Sequence, residues 1–155
     1  MIISATGHRP NKLGGYSPVA FHKLCELARA YLIEQQPEGV ISGMALGWDM
    51  AWAAAALELA VPVYAAVPFL GQESQWPDVS QRQYLRILER CASVTYVCEP
   101  GYAAWKMQKR NEWMVERCHR VAALWDGSPG GTGNCVQFAR SYPRPIDNLW
   151  DRFNV

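Results

Sequence analysis

The stretch VAALWDGSPGGTGNCVQFA, residues 121–139, decides the fold, because it joins an apolar run to a glycine-rich loop and a second apolar segment. Five apolar residues lead into Asp126 and Gly127, and four glycines fall within seven residues before the pattern turns helical again. Glycine is costly to order, so this loop indicates that the backbone itself must approach something closely. A strand, a loop and a helix in this order predict one unit of an α/β fold.

The same alternation recurs along the whole chain. Apolar runs of strand length lie at 2–5, 39–41, 61–67, 94–98 and 121–125, with a weaker sixth at 145–149. Longer amphipathic stretches lie between them at 19–36, 49–60, 79–91, 102–118 and 134–141. Strands alternating with helices form right-handed parallel units, and near-continuous apolar runs are typical of strands covered on both faces. The sequence predicts a single domain over 1–155, a doubly wound, mainly parallel sheet with helices on both faces.

Composition narrows the class of protein. The chain has 155 residues, half of them hydrophobic, and its net charge of +1 gives no general electrostatic case for binding nucleic acid or an anionic membrane. Its five cysteines contain no CxxC pair, which predicts reduced thiols and no metal site. The longest apolar region, 50–70, is broken by Glu58, Pro62 and Pro68. We therefore expect a soluble cytoplasmic protein with no membrane partner.

Ligands of such sheets bind beyond the carboxyl ends of the strands, so the loops that follow the strands are informative. The first loop, TGHRPNKLGGY, places His8 and Arg9 just past a strand, where they can reach a phosphate or a carboxylate. The alternative is a solvated loop in which Arg9 forms a structural ion pair.

The next two loops add backbone and side-chain candidates. In SGMALGWDM, Gly43 and Gly47 flank a tight turn into a helix, whose N-terminus suits a phosphate. Asp49 in that turn is either a helix cap or a ribose ligand. In PFLGQESQWP, Trp76 can stack on a base and Gln72 can hydrogen-bond one, or Trp76 merely anchors the loop.

The fourth region is basic, and the fifth loop is the glycine-rich one. Basic residues alternate with apolar ones at Lys106, Lys109, Arg110, Arg117 and Arg120, which indicates either a nucleic-acid face or the solvated side of an amphipathic helix. Arg110 and Asn111 stand out because apolar residues flank them. In DGSPGGTGN, backbone donors and one hydroxyl come just before a helix, from Gly130, Gly131, Thr132 and Gly133. The glycines are predicted to bring this backbone against an anionic ligand.

Taken in order, five motifs resemble one superfamily: GHRPNKLGGY, ISGMALGWDMAWAAAA, PFLGQESQW, RNEWMV and LWDGSPGGTGN. They are similar to the SLOG superfamily, the Rossmann-like group that joins the DNA-processing protein A domain to the LOG (lysine-decarboxylase-like) proteins, and within it to the YpsA-like branch. The resemblance covers 2–146. It implies a nucleotide-derived ligand at the strand ends, a homo-oligomer, and ligand-facing residues at Gly7, His8, Arg9, Ser42, Gly43, Gly47, Asp49, Arg110, Asn111, Asp126, Gly127 and Gly130–Gly133.

The departures from the LOG pattern concern catalysis. LOG enzymes cleave N-glycosidic bonds and carry PGGxGTxxE, but here Asn134 stands at the Thr and Gln137 at the Glu. An amide neither takes up a proton nor stabilises an oxocarbenium ion as a carboxylate does. Hydrolysis would need another carboxylate, for which the candidates are Asp49, Glu73 and Asp126.

Three functions follow as hypotheses. The first is a binding protein that senses or sequesters a nucleoside phosphate, an ADP-ribose-like compound or a cyclic nucleotide signal, with no further cofactor. The second is a nucleotide-processing N-glycoside hydrolase or transferase that uses an atypical carboxylate. The third, disfavoured by the near-neutral charge, is single-stranded DNA binding, which predicts a steep dependence on salt and on the basic side chains of the fourth region.

Overall fold

The computed structural model describes residues Met1–Asn154 and contains one six-stranded sheet. The strands are β1 (Ile2–Gly7), β2 (Gly39–Ser42), β3 (Val63–Val67), β4 (Ser93–Tyr96), β5 (Arg120–Leu124) and β6 (Ile146–Asn148). They are all parallel and lie in the order β4-β3-β2-β1-β5-β6. This confirms the predicted α/β, Rossmann-like sheet. From β1 the chain adds β2, β3 and β4 on one side, and it then adds β5 and β6 on the other side. Ligands of open parallel sheets bind at such a switch point, which here lies between β1 and β5.

Helices connect the strands and cover both faces. They are α1 (Pro18–Gln35), α2 (Trp48–Glu58), α3 (Asp78–Arg90), α4 (Ala104–Arg117), α5 (Gly131–Ser141) and α6 (Trp150–Phe153), and a 3₁₀ turn spans Pro10–Lys12. One core lies under α1 and α2 and includes the buried rings of Tyr31, Trp48 and Trp52. The other lies under α4 and α5 around Met114 and Cys135. In the described part of the chain, no helix is long and apolar enough to cross a bilayer.

The structure differs from the sequence prediction at three places. α5 begins at Gly131, three residues before the predicted start, and the short α6 was not predicted. β4 is an edge strand whose Val94 and Tyr96 remain exposed, although an apolar run had indicated a strand covered on both faces. An apolar run alone does not distinguish a central strand from an edge strand that keeps part of its surface in water.

Candidate functional site

A cavity of about 720 Å³ lies at the carboxyl ends of the strands, between the loops that follow β1, β3 and β5 and the start of α4. Its volume falls within the usual range for small-molecule sites. Twelve of the predicted residues line it: Gly7, His8, Arg9, Asp49, Gln72, Trp76, Arg110, Asn111, Gly130, Gly131, Thr132 and Gly133. Ser42, Gly43, Gly47, Glu73, Asp126 and Gly127 do not contribute to its lining.

The turn between β2 and α2 is held in place by buried hydrogen bonds and by a close approach to the loop after β1. Ser42 is fully buried, and its hydroxyl donates to the backbone carbonyl of Asp49 (2.8 Å) and accepts from the Met44 amide (3.2 Å). Gly47 has φ +92°, and a Cβ there would lie 2.5 Å from the carbonyl oxygen of His8. The Trp48 amide donates to that same oxygen at 3.3 Å. The N-terminus of α2 is therefore closed by the loop after β1.

Two buried charged groups meet beside Gly43. Arg110 reaches from α4 and donates through Nη1 to the Gly43 carbonyl (2.6 Å) and through Nε to Asn111 Oδ1 (3.1 Å). A Cβ on Gly43 would lie 2.7 Å from Arg110 Nη1 and 2.9 Å from Asp49 Oδ2, so only glycine leaves room for both groups. Burial raises the pKa of Asp49, although Arg110 and Arg9 act in the opposite direction. Burial likewise lowers the pKa of Arg110, against the attraction of Asp49.

A hydrogen-bonded cluster joins the loop after β1 to the loop after β5. His8 Nε2 lies 2.8 Å from Asp126 Oδ1, which also accepts from the backbone amide of Ser128 (2.9 Å) and from its hydroxyl. The hydrogen bonds from Ser128, followed by the contact with His8, lower the pKa of Asp126. Lys12 Nζ donates to Ser128 Oγ at 2.6 Å. Asp126 thus holds the two loops together behind the cavity wall, and the next residue, Gly127, turns the chain with φ +91°.

The N-terminus of α5 opens onto the cavity. Among the described residues, no side chain caps this helix, which follows Gly130 at φ +142°. A Cβ on Gly131 would meet no atom within 4 Å, whereas one on Gly133 would lie 3.0 Å from the Ser128 carbonyl. The first amides of a helix have no partner within the helix and carry a partial positive charge. The backbone of Gly131, Thr132 and Gly133 therefore brings the positive end of the helix dipole to the cavity.

Another part of the cavity lining, the aromatic wall, comes from the loops that precede α3 and α4. Phe69, Trp76 and Tyr102 line it, with the rings of Phe69 and Tyr102 in edge contact at 6.1 Å between centroids. Trp76 packs edge-on against Tyr84 at 5.2 Å and also faces the cavity, so it anchors its loop and forms part of the wall. Gln72 is fixed beside it, since its Nε2 donates to the Met44 carbonyl at 3.2 Å.

Three of the other four basic residues of the fourth region have separate structural partners, and the fourth, Lys109, is exposed. Lys106 Nζ donates to three backbone carbonyls of the loop at 99–101. Arg117 lies over the ring of Trp113 at 4.2 Å, and Arg120 pairs with Asp147 at 3.2 Å. They do not form a single basic face with Arg110, which is buried.

Sequence reasoning missed several residues that line the cavity, among them Thr6, Asn11, Lys12, Phe69, Tyr102 and Ser128. Lys12 carried a usable signal, because it stands in the same polar loop as His8 and Arg9. Tyr102 and Phe69 carried none, since an aromatic residue beside a strand end is equally typical of a core.

The comparisons with known proteins agree with this architecture. The SPbeta prophage-derived protein YoqJ of Bacillus subtilis is 31% identical over 134 residues, which cover 76% of this chain and 78% of YoqJ. DNA processing protein A from Helicobacter pylori, described for its single-stranded DNA binding mode, superposes with a TM-score of 0.66 at 18% identity over 94% of this chain. The Streptococcus pneumoniae protein of the same name also gives 0.66, at 17% identity over 93% of this chain.

This chain spans 63% of the H. pylori protein and 48% of the S. pneumoniae protein, so the likeness concerns their shared fold. The model of the YpsA family (YspA SLOG family) matches residues 3–142, which is nearly the whole chain. This confirms the predicted resemblance, and the chain belongs to the YpsA SLOG family.

Proposed function

We propose that the protein binds a nucleotide-derived small molecule, carrying at least one phosphate, in the cavity at the carboxyl ends of the strands. One observation carries the proposal: the uncapped N-terminus of α5 opens onto the same cavity as three cationic side chains, those of Arg9, Lys12 and Arg110. Helix N-termini bind phosphate through free amides and the helix dipole. In the lining that the structure describes, Asp49 is the single carboxylate.

The aromatic wall accounts for the other end of such a ligand. Phe69, Trp76 and Tyr102 line the same cavity as the helix end, and aromatic side chains stack favourably on bases. A ligand that fits both walls has an anionic group at one end and a flat ring at the other, as a nucleotide does. A role in sensing or sequestering fits Gln137, which replaces the LOG glutamate, is exposed and lies outside the lining.

Hydrolysis of an N-glycosidic bond is a second function, and one observation favours it. Asp49 lines the cavity, and burial raises its pKa, as in carboxyl groups that act as general acids. Glu73 and Asp126, the other two carboxylates considered, do not contribute to the lining. This function predicts that product forms from bound nucleotide and that Asp49→Asn abolishes its formation.

A thermal-shift screen with mass spectrometry of every mixture tests both functions. The panel contains nucleoside mono-, di- and triphosphates, ADP-ribose and cyclic dinucleotides. A ligand at ~100 times its Kd adds roughly 2.7 kcal/mol of stability. At ~2–4 °C per kcal/mol for a chain of this length, Tm rises by roughly 5–11 °C. Recovery of the compound intact supports binding alone, cleavage supports the hydrolase, and no shift with any compound refutes both.

Two lysine variants locate the binding. Lys12→Gln removes a charge that lines the cavity and should weaken phosphate-dependent binding, whereas Lys109→Gln removes an exposed charge outside it and should not. The same pair tests single-stranded DNA binding with an oligo(dT) probe. Tight, steeply salt-dependent binding of oligo(dT) that is lost equally in both variants would favour a nucleic-acid partner over a small molecule.

A further inference from the structure

Two oxygen atoms of residues that line the cavity have no hydrogen-bond donor among the residues that the structure describes. They are Asp49 Oδ1 and Gln72 Oε1, and both atoms are buried. The residues themselves are 5% and 8% exposed, and both line the cavity. Buried polar atoms of native proteins are nearly always hydrogen-bonded, so each exception indicates a partner that the protein alone does not supply.

The other end of each side chain is fixed by the turn between β2 and α2. Asp49 Oδ2 accepts from the backbone amide of Ala45 (3.4 Å), and Gln72 Nε2 donates to the carbonyls of Met44 (3.2 Å) and Gly43 (3.4 Å). Two carbonyl neighbours require the amide nitrogen, so the orientation of the Gln72 amide follows from its partners. The turn therefore holds both side chains and leaves one acceptor of each free.

A ligand group with two donors that reaches both side chains would satisfy the two free acceptors. An ionised phosphate offers no donor and would leave both acceptors unpaired, so we place the phosphate at the end of α5 and not here. Between a phosphate and a stacked base, a ribonucleotide presents the two hydroxyls of its sugar, both of which donate. A 2′-deoxyribonucleotide presents one.

We propose that Asp49 and Gln72 bind the ribose hydroxyls of the ligand, so that the site takes ribonucleotides and rejects 2′-deoxyribonucleotides. This rests on the proposed function, because it assigns the sugar of the same ligand. A site built to hydrogen-bond a hydroxyl discriminates strongly against the analogue without it, since its own polar atoms are then left unpaired.

The test compares the affinities of AMP, GMP, CMP and UMP with those of their 2′-deoxy counterparts by isothermal titration calorimetry. We expect at least a ~10-fold preference for the ribonucleotide, as for one charge-assisted hydrogen bond. Asp49→Asn should reduce that preference to about 3-fold or less, because its neutral amide makes a weaker bond. Asp151→Asn, which removes an exposed carboxylate from α6, is the matched control and should keep the full preference.

Each outcome separates this inference from the function on which it rests. Equal affinity for ribo- and deoxyribonucleotides overturns the sugar assignment and leaves nucleotide binding standing. A preference that follows the exocyclic amino group of the base and not the sugar also overturns it. A ribose preference that survives in Asp49→Asn overturns the role of Asp49. No binding of any of the eight probes overturns the sugar assignment together with binding of monophosphates.

Discussion

Gly7→Ala should destabilise the protein, because the end of β1 touches the first residue of α2. A Cβ on Gly7 would lie 2.4 Å from Cδ1, 2.5 Å from Cβ and 2.6 Å from Cγ of Trp48. The indole has nowhere to move, since Trp48 is fully buried and its Nε1 donates to the Ala122 carbonyl at 3.2 Å. One of the three contacts is to the Cβ of Trp48, which sits directly on the backbone of α2. The clash can therefore be relieved only if β1 and α2 move apart.

The magnitude follows from the cost of overpacking. An extra methyl in a well-packed core costs about 1–3 kcal/mol. The free energy of unfolding of a whole domain is only ~5–15 kcal/mol, so this cost is a large share of it. At ~2–4 °C per kcal/mol, Tm should fall by roughly 2–12 °C.

Urea and thermal unfolding, followed by tryptophan fluorescence, measure the loss. Gly131→Ala is the matched control: it adds the same methyl at the first position of α5, where no atom lies within 4 Å. Because alanine is a better helix former than glycine, the control should be unchanged or gain up to about 1 kcal/mol. Wild-type stability in Gly7→Ala, or an equal loss in both variants, would refute the close contact between β1 and α2.

Three further predictions concern the remaining buried polar groups and turns. Asp49→Asn should raise the free energy of unfolding near neutral pH. The folded-state pKa of Asp49 lies above its unfolded value, so its ionised form destabilises the fold at high pH and the gain should vanish in acid. Urea titrations across pH check this, and a gap independent of pH contradicts it. Gly47→Ala combines φ +92° with a 2.5 Å approach to the His8 carbonyl, and should cost about 2–5 kcal/mol in urea unfolding; a loss under about 1 kcal/mol contradicts the turn. Asp147→Ala removes the acceptor of the Tyr31 hydroxyl (2.6 Å) and should lose about 1–3 kcal/mol in the same assay, with nucleotide affinity unchanged because it lies outside the cavity.

The fold was predictable because its periodicities are strong and local. Each of the six apolar runs overlaps a strand, and each of the five amphipathic stretches overlaps a helix. Parallel strands buried by helices need apolar side chains on both faces, and this leaves a continuous signal. The start of α5 was missed for an equally local reason. Glycine has poor helix propensity, so Gly131 and Gly133 look like loop residues, although an open helix end tolerates them.

The lining of the cavity was predictable at the level of loops and not of contacts, and its use as a ligand site stays a prediction. The rule that ligands bind beyond the strand ends selected the polar loops, and 12 predicted residues line one cavity there. Which side chains face inward depends on pairs that are distant in the sequence. Lys12 meets Ser128 across 116 positions, and Arg110 meets the Gly43 carbonyl across 67. A single sequence carries no signal for such pairs.

The glycine-rich turns before α2 and α5 have the same local sequence pattern but different surroundings. Both lead from a strand into an uncapped helix, and the sequence predicts a phosphate at either one. At α2 the His8 carbonyl accepts from the first helical amide, and Gly47 is needed so that the two backbones can approach. At α5 nothing lies within 4 Å of a Cβ on Gly130 or Gly131, and both residues line the cavity. One glycine turn thus packs protein against protein, while the other has open space at Gly130 and Gly131. The anion site we propose therefore belongs to α5, and α2 contributes the carboxylate of Asp49 instead.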